Sequence, residues 1–193
     1  MAELLRVHGY AATSIQQLAH AAEVPVGSIY HHFPGGKREV AAAALRQSGA
    51  AYILLLQVLL DRHTDLPTGI EEAFTAAAED MESVGWANMC PVATVTGEVA
   101  EAEPALRETG AEVIESWLDH GVQYFAERGL HEHDARALMS ALLSALQGGF
   151  LLARGQQSKA PLITAGRAVA SFAATLPITA PVSNEDRPAQ DDY

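Results

Sequence analysis

The 193 residues are 49% apolar and 19% charged, which is enough apolar content to close a sizeable core and excludes a disordered chain or a miniprotein. Twenty-four acidic residues against twelve basic ones give a net charge of −12. That balance excludes a general nucleic-acid coat or a membrane-surface anchor, so any DNA contact must be local. The single cysteine, Cys90, excludes an internal disulfide and a multi-cysteine metal site and fits a reducing, cytoplasmic setting.

The apolar run from Ala50 to Leu60 is interrupted by Gln57 and is shorter than the ~18 residues of a bilayer span, so no membrane partner is expected. No export signal is legible at the N-terminus. Alanine is abundant, no stretch alternates apolar with polar residues, and helical periodicity is the one pattern present throughout. The fold is expected to be all-α. In residues 1–46 Arg6, Lys37, Arg38 and Arg46 outnumber Glu3, Glu23 and Glu39, leaving the net negative charge to the remainder. A weakly basic head on an acidic body suits a chain that meets phosphate at one end, and chance clustering of a few charges gives the same split.

Only eight residues precede Gly9, room for about two helical turns. Thr13 and Ser14 then lead into Ile15, Leu18, Ala19 and Ala22 at i, i+3, i+4 and i+7, and Ser14 with Gln17 forms an S-x-x-Q capping box. Pro25 interrupts this helix because it lacks an amide donor and pushes Val24 out of the α region. Val26, Ile29, Tyr30 and Phe33 repeat the spacing in a second helix, leaving Gly27, Ser28, His31 and His32 on the other side. Two short helices across a tight turn make a helix-turn-helix.

The exposed side is what groove reading requires: Gly27 lets the backbone approach, and Ser28, His31 and His32 supply hydrogen-bonding groups without carboxylate repulsion. Tyr30 is expected to pack its ring inward with its hydroxyl toward a phosphate. Lys37, following Pro34-Gly35-Gly36, is expected to hold a phosphate together with free helix N-terminal amides. A packed helical corner with surface histidines produces the same periodicity.

From Lys37 to Leu60 no proline intervenes, giving a helix of roughly 36 Å at 1.5 Å per residue, long enough to join two domains. Thr68 and Glu71 read as a capping box opening a helix with Ile70, Phe74, Ala77, Ala78 and Met81 on one face. Residues 85–89 read as a loop, and Cys90-Pro91 leads into a short helix through Val92, Val95 and Val99. Pro104 opens a long helix with Leu106, Val113, Trp117, Tyr124 and Phe125 on its apolar face and Gly129 after its end.

The last two helices, about 134–154 and 161–176, carry stripes of Leu138, Leu142, Ala145, Leu146 and Gly149, then Leu162, Ala165, Val169, Phe172 and Ala173. Small residues allow close approach, so these stripes form either a four-helix interface between two chains or the core of a monomer. Phe74, Met81, Trp86, Cys90, Trp117, Tyr124, Phe125, Gln147 and Leu151 are the candidate lining of a pocket for a flat, largely apolar molecule, and each is equally at home in a plain core. Gln147 is the informative polar member, since its amide must find a partner. The stretch from Pro177 to Tyr193, rich in proline and acids, is expected to be a disordered tail.

Cys90 as a nucleophile lacks a base in the sequence, and His131 with His133 lacks a further ligand, so no catalytic or metal site and no cofactor is expected. The remaining alternatives are a small-molecule-binding helical protein without operator binding and a redox switch at Cys90.

The combination of Gly9-Tyr10-Ala11-Ala12-Thr13-Ser14-Ile15, Leu18-Ala19, Val26-Gly27-Ser28-Ile29-Tyr30-His31-His32-Phe33 and Lys37 resembles the DNA-binding domain of the TetR family of transcriptional repressors. The Pro34-Gly35-Gly36-Lys37 insertion and Cys90-Pro91 resemble its LmrA/YxaF-related subgroup. The resemblance implies a helix-turn-helix domain over 1–46 that contacts operator DNA through Thr13, Ser14, Val26, Gly27, Ser28, Tyr30, His31, His32 and Lys37. It also implies a ligand-binding and dimerisation domain over 47–176, paired through its last two helices, and a homodimer on a palindromic operator released by a small apolar or aromatic effector. The family's first helix is usually longer than the eight residues here.

Overall fold

The computed structural model describes residues 1–87, 89–99 and 101–178. The described chain is helical: α1 (Ala2–His8), α2 (Ile15–Ala21), α3 (Val26–His32), α4 (Lys37–Leu60), α5 (Leu66–Ser83), α6 (Pro91–Val99), α7 (Pro104–Ala126), α8 (Glu132–Gln156) and α9 (Ala160–Ala173). An isolated antiparallel bridge between Leu130 and Ile178 fastens the segment after α9 to the turn after α7. Pro177 and Ile178 therefore belong to the body, and the rest of the expected tail lies outside the described residues.

Ser14 caps α2 with the reciprocal box read from the sequence: Ser14 Oγ accepts from the Gln17 amide at 3.1 Å and Gln17 Oε1 from the Ser14 amide at 2.7 Å. The second predicted box is not formed. Asp65 caps α5 by accepting from the Thr68 amide at 3.0 Å and from its hydroxyl at 2.6 Å. Pro67 sits in the first turn, where a missing amide costs nothing, so the helix begins earlier than Thr68 alone implied. The two bonds from Thr68 hold the Asp65 carboxyl below its ordinary range. Helix α8 also runs two residues beyond each expected end.

Ile15, Leu18, Ala19, Ile29 and Val40 form a small core where α2 and α3 meet the start of α4. Leu5, Tyr10, Ala41 and Leu45 join the larger core of the body, so α1 and α4 are shared between the two. The crossing of α4 and α7 is tight. A Cβ on Gly49 would lie 2.3 Å from Val113 Cγ1, and the Trp117 indole donates to the Gly49 carbonyl at 2.8 Å. At the far end of α4, Asp61 accepts from the Tyr124 hydroxyl at 2.9 Å and pairs with Arg128, whose guanidinium lies 3.6 Å over the Tyr124 ring.

Helices α4 and α8 are long and apolar enough to cross a bilayer by composition, although no unbroken apolar run of that length occurs. Each packs one face on its neighbours and keeps polar groups such as Gln47, Arg136 and Ser140 exposed.

Candidate DNA-reading surface and effector cavity

Gly27, Tyr30, His31 and His32 lie exposed on α3 and Ser28 is half-buried beside them. No atom lies within 4 Å of a Cβ placed on Gly27, so a backbone approach there is open. The His31 and His32 rings meet edge to face at 5.1 Å. Val26 is half-buried on the small core, and the Ser14 hydroxyl is taken up by its cap.

Two expectations need correction. Thr13 is 1% exposed, its hydroxyl donating to the Gly9 carbonyl at 2.7 Å, so it closes the turn and cannot reach DNA. Tyr30 is 50% exposed. Its ring lies along Gly36, whose added Cβ would be 3.0 Å from Tyr30 Cε1, because Ile29 already fills the inner position.

The Lys37 ammonium sits 4.1 Å over the Tyr10 ring and 3.4 Å from the Ala11 carbonyl. The amide of Gly35, just before α4, is already taken by the Glu39 carboxylate at 2.7 Å, so the helix start is less open to phosphate than expected. Arg38, absent from the predicted set, is exposed in the same first turn.

The head is fastened to α6 by a contact no local pattern announces. Glu98 accepts from two consecutive backbone amides of the α1–α2 turn, Tyr10 at 2.6 Å and Ala11 at 2.7 Å. Gly9 makes room for this carboxylate: its φ is 77°, and a Cβ there would stand 2.6 Å from Glu98 Oε2.

At the other end of α6, Met89, Cys90 and Pro91 line a cavity of about 480 Å³. Tyr52, Leu55, Leu56 and Leu59 of α4, Ala73, Phe74, Ala76, Ala77 and Asp80 of α5, Leu146 and Phe150 of α8, and Arg6 of α1 complete its wall. Its size and largely apolar wall suit a small organic molecule. Of the predicted lining, Phe74 and Cys90 are on this wall. Met81 and Phe125 are buried in the core, Trp86 is half-buried in the loop after α5 with φ 64°, and Leu151 is 64% exposed on the outer side of α8. Trp117 and Tyr124 are spent on Gly49 and Asp61.

Gln147 lies behind the wall, its amide beside the Tyr52 hydroxyl and the Cys90 thiol. Neither its Oε1 nor its Nε2 finds a hydrogen-bond partner among the described residues. Burial pushes the Tyr52 phenol far above its ordinary range and pushes the Cys90 thiol up. A protonated thiol that is 5% exposed is a poor redox centre.

The predicted dimer stripe is also corrected in part. Leu138, Leu142 and Leu162 are fully buried and Leu146, Gly149, Val169 and Ala173 nearly so, all inside their own subunit. A Cβ on Gly149 would meet Leu162 at 2.7 Å, so the small residue serves the α8–α9 contact within one chain. Ala145 and Ala165 are half-buried and Phe172 is 37% exposed. The outward faces instead present Ser144, Gly148, Leu151 and Leu152 on α8 and Ala168 and Phe172 on α9.

Residues 2–44 match the profile described as bacterial regulatory proteins, tetR family, and residues 68–168 match the profile described as transcriptional regulator LmrA/YxaF-like, C-terminal domain. The uncharacterized HTH-type transcriptional regulator YxaF of Bacillus subtilis is 29% identical over 160 residues, covering 83% of this chain and 84% of its own. The regulator LmrA of the same organism is 25% identical over 166 residues, covering 83% and 85%. The solved regulatory protein TetR of Rhodobacter sphaeroides superposes with a TM-score of 0.75 at 26% identity, covering 89% of this chain and 93% of that one. The helix-turn-helix head, the helical body behind it and these matches together establish that the chain belongs to the TetR family of DNA-binding transcriptional regulators, with an LmrA/YxaF-like C-terminal domain, and is not an enzyme.

Proposed function

We propose that this regulator is a cytoplasmic repressor that acts as a homodimer on a palindromic operator and is released when a small, largely apolar effector enters the cavity. The observation that carries the reading is that three helices run from the head to one cavity: α1 through Arg6, α4 through Tyr52 to Leu59, and α6 from Pro91 to Glu98. An occupant that shifts any of them acts on the seat of α3. Gly27, Ser28, His31 and His32 read the major groove, with paired recognition helices about 34 Å apart on successive turns. The exposed strip of Gly148, Leu151 and Leu152 with Ala168 and Phe172 pairs the two subunits, because small and apolar groups there permit close helix contact.

The effector favours a dimer whose heads are mis-spaced for the grooves. A hundredfold weakening of DNA binding needs a coupling of about 2.7 kcal/mol, within the usual allosteric range. A mobility shift with DNA from upstream of the protein's own gene tests the reading, and absence of any shift at low salt contradicts it. Lys37→Ala should weaken binding to all sequences alike and lower the slope of log K against log salt by about 0.9, the loss of one phosphate contact. A changed base preference with an unchanged slope would remove Lys37 from the phosphate-contacting set.

A further inference from the structure

The cavity wall is apolar except at a few points, and one of those points belongs to the DNA-binding head. Arg6, on α1, contributes to the wall. Its Nε is buried and has no hydrogen-bond partner among the described residues. One terminal nitrogen pairs with Glu3 at 2.5 Å, a same-helix partner whose side chain is 69% exposed. Such a solvated pair on a single helix turn is weak, so Glu3 is a competitor that a second carboxylate can displace from the guanidinium. Asp80, the other charged group on the wall, already has a contact of its own. A guanidinium on the wall of an apolar chamber, with its Nε unpaired and one terminal nitrogen outside the Glu3 pair, is an incomplete site, because a guanidinium is satisfied best by a carboxylate that takes two of its donors.

We infer that the effector is an organic acid: an apolar body filling the cavity between α4, α5 and α8, with a carboxylate that pairs with Arg6 and so binds the DNA-reading head directly. This rests on the cavity being the effector site and adds its chemical class. It also shortens the route of coupling. The acid would hold α1 to the body from inside the chamber while Glu98 holds the α1–α2 turn from outside, so occupancy and head position are linked through one side chain as well as through whole helices.

Octanoate and 1-octanol, equal in chain length, separate the acid from its neutral counterpart. Both are non-fluorescent, and the Trp117 ring lies 5.0 Å from Tyr52 on the cavity wall, so tryptophan emission of the full chain reports occupancy. Octanoate should bind at least about tenfold more tightly than 1-octanol, in line with a charge-assisted hydrogen bond. Arg6→Met should bring the two within about twofold, and Arg6→Lys should retain part of the preference.

Glu3→Gln, at an exposed position that tolerates change, should raise octanoate affinity severalfold by freeing the guanidinium, with no effect on 1-octanol. Hydrogen exchange over α1 should slow with octanoate and not with the alcohol. Equal binding of acid and alcohol, or an acid preference that survives Arg6→Met, overturns the inference. If 1-octanol also weakens DNA binding as well as octanoate does, the effector reading of the cavity stands and only the acid class falls. If neither compound is bound, both fall.

Discussion

Glu98→Ala should detach the head from α6: the amides of Tyr10 and Ala11 lose their shared carboxylate and exchange with solvent about thirtyfold faster. Hydrogen bonds to a charged acceptor contribute about 1.5–3 kcal/mol each. The Ala11 contact is exposed, so a combined loss of about 2 kcal/mol is a discounted figure, and it corresponds to that rate through local opening. The body core is untouched by the change, because Glu98 is an exposed residue beyond the buried Val92, Val95 and Val99 of α6. Native-state hydrogen exchange should therefore show the acceleration in the α1–α2 turn and α2, with α5, α8 and α9 unchanged. Glu98→Gln, which keeps one acceptor oxygen, should fall between. Unchanged exchange in the turn would mean that the apolar packing of α1 and α4 on the body seats the head without Glu98.

Trp117→Ala should produce the largest loss of stability among single changes in the body, about 4 kcal/mol, a value typical of truncating a buried tryptophan. Trp117 is 3% exposed, donates to the Gly49 carbonyl at 2.8 Å and stacks 5.0 Å from Tyr52. It therefore fixes α4 against α7 midway between the head and the Asp61–Arg128 pair. For a chain of this size the change lowers Tm by about 10 °C or more, measurable by far-UV circular dichroism. Trp117→Phe keeps one six-membered ring but loses the donor and the fused ring's volume, and should cost an intermediate amount of about 1–3 kcal/mol. A Trp117→Ala variant within about 1 kcal/mol of the parent would show that the α4–α7 crossing does not hold the connector helix.

Several of these parts were legible because their signals are local. The Ser14–Gln17 box, the break at Pro25 and the uninterrupted stretch from Lys37 to Leu60 each act within one or two turns, and the observed helices follow them. The α5 start was misread because Thr68 and Asp65 are both competent caps, and only the backbone direction selects Asp65. The stripe on α8 and α9 said that a face is buried without saying against what. Leu138, Leu142 and Leu162 satisfy it inside one subunit, and the outward strip at Gly148, Leu151 and Leu152 has the weaker periodic signal.

Less of the cavity was legible, two of its nine expected lining residues. Phe74 and Cys90 fell on its wall, whereas Trp117, Tyr124 and Phe125 are as aromatic and serve packing. Arg6 and Tyr52 were missed because they belong to helices read as head and connector. The Glu98 contact joins residues 87 and 88 positions apart, a separation at which helical periodicity carries no information.

Selection of bound sequences from a randomised DNA pool, run with the parent protein and with His31→Ala, tests the central claim that α3 reads bases in the major groove. The parent should enrich a motif of twofold symmetry with half-sites about one helical turn apart. His31→Ala should relax or change the preference at one position of each half-site and leave the spacing intact. The same motif from both proteins, or no enriched motif from the parent, would contradict it.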